Sequence, residues 1–197
     1  MTLFYLYDKI SIQIERRQLP VYFCALKVVK IHIIIAGDLM TNMCLSIADY
    51  IINSINNING NNQNGLIKLS CKRLQKIIYF CEVNYMKSNQ GKSLISDDFY
   101  AWESGPVIPD VYYSYMQFQE GIMYPLENKY LELTEEIRNV LDRTITETIN
   151  YTTDDLIEFS HIEGGPWDKN KQGNGLIPKN EIYDFYEKLE NIYIKKI

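Results

Sequence analysis

Residues 70–88 read SCKRLQKIIYFCEVNYMKS. Ser70 is a helix N-cap candidate, because its hydroxyl can accept a hydrogen bond from an N–H of the first turn. Behind it, apolar side chains recur three or four residues apart, which is the spacing of one helix face. They are Leu74, Ile77, Ile78, Cys81 and Tyr85. The pattern predicts a helix over about residues 71–88 at the centre of the core, with Lys72, Arg73 and Lys76 on its outer side.

Caps, prolines and apolar spacing predict further helices along the rest of the chain. Their expected starts are Ser46, Pro109, Thr134, Thr152 or Thr153, and Asn180. The first should end in the asparagine- and glycine-rich stretch 57–65, which favours turns. Residues 99–102 suit a short strand, with residues 130–133 as the candidate partner. The predicted fold is therefore mainly α, a compact multi-helix single domain with at most a small β hairpin.

Composition and charge set limits on function. The chain has 197 residues, of which 46% are hydrophobic, and a net charge of −5. An acidic chain lacks the phosphate attraction that dominates non-specific nucleic-acid binding, so direct nucleic-acid binding is disfavoured. The cysteines form no paired motif of the kind that holds structural zinc, and reduced thiols in a cytoplasm are expected. The cysteines and histidines are Cys24, Cys44, Cys71, Cys81, His32 and His161.

Possible chemistry centres on His161, which follows Ser160. A hydrolase using this pair is one hypothesis. Neighbouring helical residues point about 100° apart, however, so the two side chains are poorly placed as nucleophile and base. A histidine whose ring nitrogens bond backbone or carboxylate groups is the alternative that we favour. The acidic pairs 97–98, 135–136 and 154–155 suit helix caps better than a metal site. We predict no catalytic residue, no metal and no cofactor.

Several stretches in order resemble the Panacea domain, the SocA-like or GepA-like family of antitoxins and phage-associated proteins. They are SIADYIIN (46–53), LSCKRLQKIIYFCEVNYM (69–86), KSLISDDFYAWESGPVIPDVYYSY (92–115) and LIEFSHIEGGPW (156–167). The core of the resemblance is LQKIIY at 74–79 and AWESGPV at 101–107. Ser160 stands where the family usually has threonine. The resemblance covers most of the chain from about Met43 to beyond Trp167.

The resemblance implies a cytoplasmic bacterial or phage antitoxin, not an enzyme, which neutralises a toxin encoded by a neighbouring gene through direct binding. The family pairs one antitoxin domain with many unrelated toxins, and it brings no established catalytic residues. The alternative is a proteolytic adaptor or another phage- or mobile-element-associated interaction protein. An adaptor would shorten the lifetime of its partner, whereas an antitoxin that masks its target would not.

The residues of the family motifs are the candidate partner-binding residues, although a role as scaffold is equally open. The large indole side chains and the Gly-Pro step suit packing as well as recognition. The candidates are Gln75, Lys76, Tyr79, Trp102, Gly105, Pro106, Val107, Tyr112, His161, Pro166 and Trp167.

The first 39 residues fall outside the resemblance, and the domain is expected to occupy residues 40–197. The apolar run at 21–35 contains two lysines, and it is too short and too charged for a membrane span. Acidic residues precede it, which is unlike a signal peptide. Residues 37–40 can be encoded GGA GAT TTA ATG, which would place a ribosome-binding-like sequence before a start codon.

We therefore predict that translation starts at Met40 or Met43 and that residues 1–39 are an upstream extension. The intact mass of the natively expressed protein measures this directly. A mass that includes residue 1 would contradict the prediction.

Overall fold

The computed structural model describes residues 43–61, 66–118, 123–126 and 133–193. The predicted N-terminal extension, residues 1–39, lies outside these ranges. The described part of the chain is mainly α-helical with a small antiparallel sheet, as the sequence predicted. Its elements are α1 (Met43–Asn61), α2 (Cys71–Ser88), β1 (Phe99–Trp102), β2 (Gly105–Val107), α3 (Pro109–Tyr115), α4 (Glu135–Thr148), α5 (Thr153–Ser160), α6 (Pro166–Asn170), a 3₁₀ turn (Gln172–Asn174), β3 (Leu176–Ile177) and α7 (Lys179–Tyr186).

Helix α2 lies at the centre of the fold, with the bounds that the sequence predicted. The Ser70 side chain accepts a hydrogen bond from the Arg73 N–H and caps the helix. Fifteen of its 18 residues are buried, so the helix is surrounded on all sides rather than exposed along one face. Lys72 is exposed as expected. The prediction that Arg73 and Lys76 face outward is wrong, because they are only 6% and 1% exposed.

Basic side chains near the two ends of α2 bind main-chain carbonyls of other helices. The Arg73 guanidinium donates to the carbonyls of residues 148 and 149, each at 3.2 Å, at the C-terminal end of α4. The Lys87 ammonium donates to the carbonyls of Tyr186 and Leu189 at the end of α7. Cations at helix C-termini also interact favourably with the helix dipole. These contacts fix α4 and α7 against the central helix.

Glu82 organises the segment that follows α2. Its side chain is completely buried. It accepts hydrogen bonds from the Ser93 hydroxyl and from the N–H groups of Leu94 and Ile95, at 3.0 and 3.1 Å. The Lys179 ammonium, at the start of α7, lies 2.9 Å from a Glu82 carboxylate oxygen. A buried carboxylate needs this kind of pairing, because desolvation of an unpaired charge is costly.

The sheet has the strand order β2-β1-β3 and is antiparallel throughout. A two-residue turn at 103–104 joins β1 to β2, with Trp102 opposite Gly105. Phe99 pairs with Ile177 on the other edge of β1. Three of the four residues of the predicted partner strand 130–133 lie outside the described residues, and the described partners of β1 are β2 and β3. Pro106 is tolerated in β2 because an edge strand needs fewer N–H donors than a central one.

The predicted helix starts at Pro109, Thr134 and Thr152 are confirmed. Thr134 accepts a hydrogen bond at the start of α4, and Thr152 forms a capping box with Asp155. One prediction for α1 is wrong, because the helix begins at Met43 and Ser46 is a buried residue inside it. The helix ends at Asn61, within the stretch 57–65 that the sequence predicted.

Asparagine side chains bond the main chain near the end of α1. Asn59 both donates to the carbonyl and accepts from the N–H of Ile67, at 3.0 and 2.7 Å. Asn61 donates to the carbonyl of Asn57, one turn earlier. The low helix propensity of asparagine is thus offset by contacts that propensity alone does not include.

Glu82→Ala should lower the free energy of unfolding by about 3 kcal/mol, because it removes the carboxylate that pairs with the Lys179 ammonium and leaves two buried N–H groups without an acceptor. Urea denaturation measures this change. Arg143→Ala is the matched control, since its ion pair with Glu147 is 4.0 Å long and its side chain is 52% exposed. That substitution should cost about 0.5 kcal/mol or less. Equal costs for the two variants would contradict the role given to Glu82.

Candidate partner-binding site

Two adjacent side chains of α2 form hydrogen bonds with the main chain at the end of the β1–β2 hairpin. The Gln75 amide donates to the carbonyl of Ile108 at 3.2 Å and accepts from its N–H at 2.9 Å. The Lys76 ammonium donates to the carbonyl of Pro106 at 2.7 Å. Both side chains are 1% exposed, so these hydrogen bonds form away from water. Gln75 is therefore a scaffold residue that uses its amide on the main chain of the hairpin.

Gly105 occupies a position that only glycine fits. Its φ is +100°, a conformation that residues with a Cβ rarely adopt. A Cβ there would lie 2.7 Å from the Lys76 Nζ and 2.8 Å from the Ser160 Oγ. At this point the hairpin approaches α2 and α5 so closely that residue 105 has no room for a side chain.

Lys76 is a buried amine that donates a hydrogen bond to a neutral carbonyl. Burial, with a smaller contribution from the charge of Lys72, lowers the pKa of Lys76 to about 7, whereas Cys71 acts in the opposite direction. Within the four described ranges, no carboxylate forms an ion pair with Lys76. Lys76 is consequently a site where a negative charge would be stabilised.

The geometry around His161 differs from that of a nucleophile and base. The Ser160 Oγ donates to the carbonyl of Ile157 at 2.8 Å. The His161 ring stacks on the Trp167 ring, with 3.4 Å between centroids and 8° between planes. Burial, with the charges of Lys76 and Lys171, lowers the pKa of His161 to about 4, so the ring is neutral at physiological pH.

The hydrogen bonds expected of the His161 ring are not formed with the described residues. Its Nε2 is buried, and it has no hydrogen-bond partner among the described residues. The prediction that both ring nitrogens bond backbone or carboxylate groups is therefore wrong for this nitrogen. Stacking on Trp167 is the contact that the sequence did not indicate, because the two residues are six positions apart and joined by a glycine turn.

Trp167 and Pro166 connect α6 to the hairpin. The Trp167 Nε1–H donates to the carbonyl of Trp102 at 2.8 Å. Pro166 is buried and takes the first position of α6, where a missing N–H does no harm. Tyr79 lies elsewhere, in the core, with its ring edge-to-face against Phe99 at 5.2 Å. The contacts described for these three predicted site residues are all with other parts of the fold.

An aromatic patch formed by Trp102, Tyr112 and Tyr113 lies on the surface beside the hairpin. The ring centroids of Trp102 and Tyr112 are 5.0 Å apart, and those of Tyr112 and Tyr113 are 5.5 Å apart. Tyr113 is 41% exposed, and Met116, three residues further along the chain, is 38% exposed. Trp102 is half-buried, so the expectation that it anchors the core holds only for part of its ring.

A pocket of about 190 Å³ opens next to the aromatic patch. It brings together five of the predicted residues, Gln75, Lys76, Trp102, Val107 and Tyr112. Sequence reasoning missed three others that line it, Lys72, Glu103 and Ser104. Glu103 and Ser104 could have been found, because they lie between two short apolar stretches and such a position is typical of a two-residue hairpin turn. Six predicted residues do not line the pocket. Gly105 and Pro106 belong to the hairpin itself, Trp167 bonds the carbonyl of Trp102, and His161 stacks on Trp167. Tyr79 lies in the core, and Pro166 begins α6.

The described residues contain neither a cluster suited to a metal ion nor a membrane-spanning helix. No group of three histidine, cysteine, aspartate or glutamate side chains in those ranges is arranged to hold a metal ion. No helix there is long and apolar enough to span a membrane.

Residues 74–168 match the model of the family described as antitoxin SocA-like, Panacea domain. This range contains every predicted site residue. The chain is also 26% identical over 122 residues to a protein of Caulobacter vibrioides named Antitoxin SocA. That match covers 55% of this chain and 63% of the relative, so the chain spans less than two thirds of the relative's length. No solved structure matches the chain.

Gly105→Ala should lower the free energy of unfolding by about 3 kcal/mol, because it adds a buried clash to a strained φ. Gly164→Ala is the matched control: its φ is +70°, and nothing lies within 4 Å of the Cβ position. Strain alone should then cost about 1 kcal/mol. Chemical denaturation of both variants measures the difference, and equal losses would contradict the close approach of Lys76 to the hairpin.

Proposed function

We propose that this chain is the antitoxin of a toxin–antitoxin system, because residues 74–168 match the model of the SocA-like Panacea domain and the chain is similar to a protein named Antitoxin SocA. It neutralises its toxin by direct protein–protein binding. The toxin is the product of a neighbouring gene, and the two proteins meet in the cytoplasm. The observation that carries this proposal is the exposed aromatic patch beside the pocket.

The composition of the patch supports a role in protein binding. Tryptophan, tyrosine and methionine are enriched in protein interfaces, and tryptophan and tyrosine dominate the residues that contribute most to affinity. Here Trp102, Tyr112 and Tyr113 are neighbours, with Met116 on the same helix segment. Lys72 and Glu103 line the adjoining pocket and add charge next to the rings.

The support beneath the patch favours affinity as well. Trp102 belongs to a hairpin whose main chain is bonded by Gln75 and Lys76 of α2. The carbonyl of Trp102 itself accepts the Trp167 indole N–H. A surface that is rigid before binding loses less conformational entropy when the partner arrives. The buried polar contacts thus support the patch as a preorganised binding surface.

The proposed activity needs no catalytic group. Neutralisation by binding requires only that the antitoxin cover or distort a surface that the toxin uses. The Ser160 hydroxyl, bonded to Ile157, and the neutral His161, stacked on Trp167, are consistent with packing roles. We therefore propose a binding protein rather than a hydrolase.

Tyr113→Ala should weaken binding to the neighbouring gene's product by about tenfold or more, because truncating a central aromatic contact typically costs 2 kcal/mol or more. Tyr124→Ala is the matched control, a tyrosine that is 62% exposed in the separate segment 123–126. That variant should change affinity by less than about threefold. Isothermal titration calorimetry measures both values, and rescue of growth on co-expression measures neutralisation.

Three results would contradict the proposal. The neighbouring product is harmless when expressed alone, it remains toxic when this protein is present, or Tyr113→Ala and Tyr124→Ala bind it equally well. The half-life of the partner in cells is measured in the same strains. A half-life that is shortened by this protein would instead identify a proteolytic adaptor, since masking leaves the lifetime unchanged or longer.

A further inference from the structure

We propose that the pocket between α2 and the hairpin binds a carboxylate group of the partner protein, with the Lys76 ammonium as its counterion. The identity of the partner rests on the proposed function, whereas the carboxylate site itself does not. Lys76 and Gln75 provide the buried wall of the pocket, and Trp102, Val107 and Tyr112 provide its apolar sides.

The first observation is an incompletely satisfied ammonium group. An ammonium has three N–H donors, and the Lys76 Nζ donates to the carbonyl of Pro106. No Asp or Glu of the described residues forms an ion pair with it. Buried charges in proteins are normally paired, because an isolated one is costly to desolvate. A carboxylate that enters the pocket would supply the missing charge and two acceptor oxygens.

The second observation is the size of the pocket. Its volume is about 190 Å³, whereas sites for small-molecule ligands and cofactors usually occupy about 300–1,000 Å³. A single acidic side chain or a chain terminus fits this volume better than a free metabolite does. The apolar walls suit the carbon atoms that carry a carboxylate, and the lysine suits its oxygens.

The charges at the pocket favour an anion over a cation. Lys72 and Lys76 both line it, against one carboxylate, that of Glu103. Glu103 is exposed, so water and salt screen its repulsion. Lys76 is 1% exposed, and its attraction acts through a medium of lower dielectric constant, where it is stronger. A lysine or arginine of the partner would be repelled by the buried charge.

The test uses the full chain and three blocked probes. They are N-acetylglutamate α-methylamide, its uncharged glutamine analogue, and N-acetylglycine, which carries only a terminal carboxylate. The signal of the Trp102 indole N–H in ¹H–¹⁵N NMR spectra reports binding, because Trp102 lines the pocket. We expect a saturable shift with at least one carboxylate and none with the glutamine analogue. The stronger of the two carboxylates identifies a side chain or a chain terminus as the source.

Substitutions give the second part of the test. Lys76→Met should weaken carboxylate binding about tenfold or more, since a hydrogen bond to a charged group typically contributes 1.5–3 kcal/mol. Lys72→Gln should weaken it about twofold, and Glu103→Gln should strengthen it by a similar factor, because both side chains are exposed and screened. The two exposed positions keep the test valid if Lys76→Met does not fold.

The inference is overturned if the glutamine analogue binds as tightly as the glutamate probe, if folded Lys76→Met binds carboxylates like the wild type, or if Lys72→Gln and Glu103→Gln do not change affinity in opposite directions.

Measurements of toxin binding distinguish the failure of this inference from the failure of the proposed function. Loss of toxin binding in Tyr113→Ala but not in folded Lys76→Met would overturn the carboxylate site alone. Binding of the carboxylate probes without any neutralisation of the toxin would overturn the proposed function alone.

Discussion

The hydrogen bonds from buried polar side chains of α2 to the main chain of its neighbours are the interactions on which the rest of the fold depends. A helix enclosed on all sides would ordinarily be apolar all round. Here Arg73, Gln75, Lys76 and Glu82 are buried. Arg73 bonds the end of α4, Gln75 and Lys76 bond the hairpin and its exit, and Glu82 bonds the segment after α2. These contacts define where α4, the hairpin and the segment after α2 lie. Removing one of these side chains would leave its main-chain partner buried without a hydrogen bond, because water cannot reach that group.

The same constraint connects the core to the surface. Gln75 and Lys76 fix the hairpin from inside, and the hairpin presents Trp102 next to Tyr112 outside. The close approach at Gly105 excludes a side chain that would separate the hairpin from α2. Residues of the family motifs therefore divide into an inner set that holds the main chain and an outer set that a partner can reach. The α2 helix and the hairpin therefore form one structural unit, with the supporting residues on its inner side and the exposed aromatic residues on its outer side.

The sequence predicted the features that depend on local chemistry. The bounds of α2, its Ser70 cap, and the starts at Pro109, Thr134 and Thr152 follow from capping and proline geometry.

The sequence did not predict features that depend on distant partners. Arg73 and Lys76 were placed outward because charged residues usually are, and the acceptors that bury them lie 30 or more positions away. β2 was missed because Gly105 and Pro106 are typical of turns, and β3 because two residues carry no periodicity. Two residues of the aromatic patch, Trp102 and Tyr112, were predicted from the sequence. That they lie next to each other and to Tyr113 follows only from the positions of β1 and α3 in the structure.

Main-chain acceptors have a consequence for how the sequence can vary. A carbonyl at position 106, 108, 148 or 149 is available to α2 whichever side chain that residue carries, so substitutions there need preserve only backbone geometry and volume. In such a fold the polar side chains of α2 determine how the segments pack, and the side chains of the bonded segments can be substituted. Lineages that keep the polar residues of α2 can exchange the residues of the outer surface one at a time, each intermediate remaining folded.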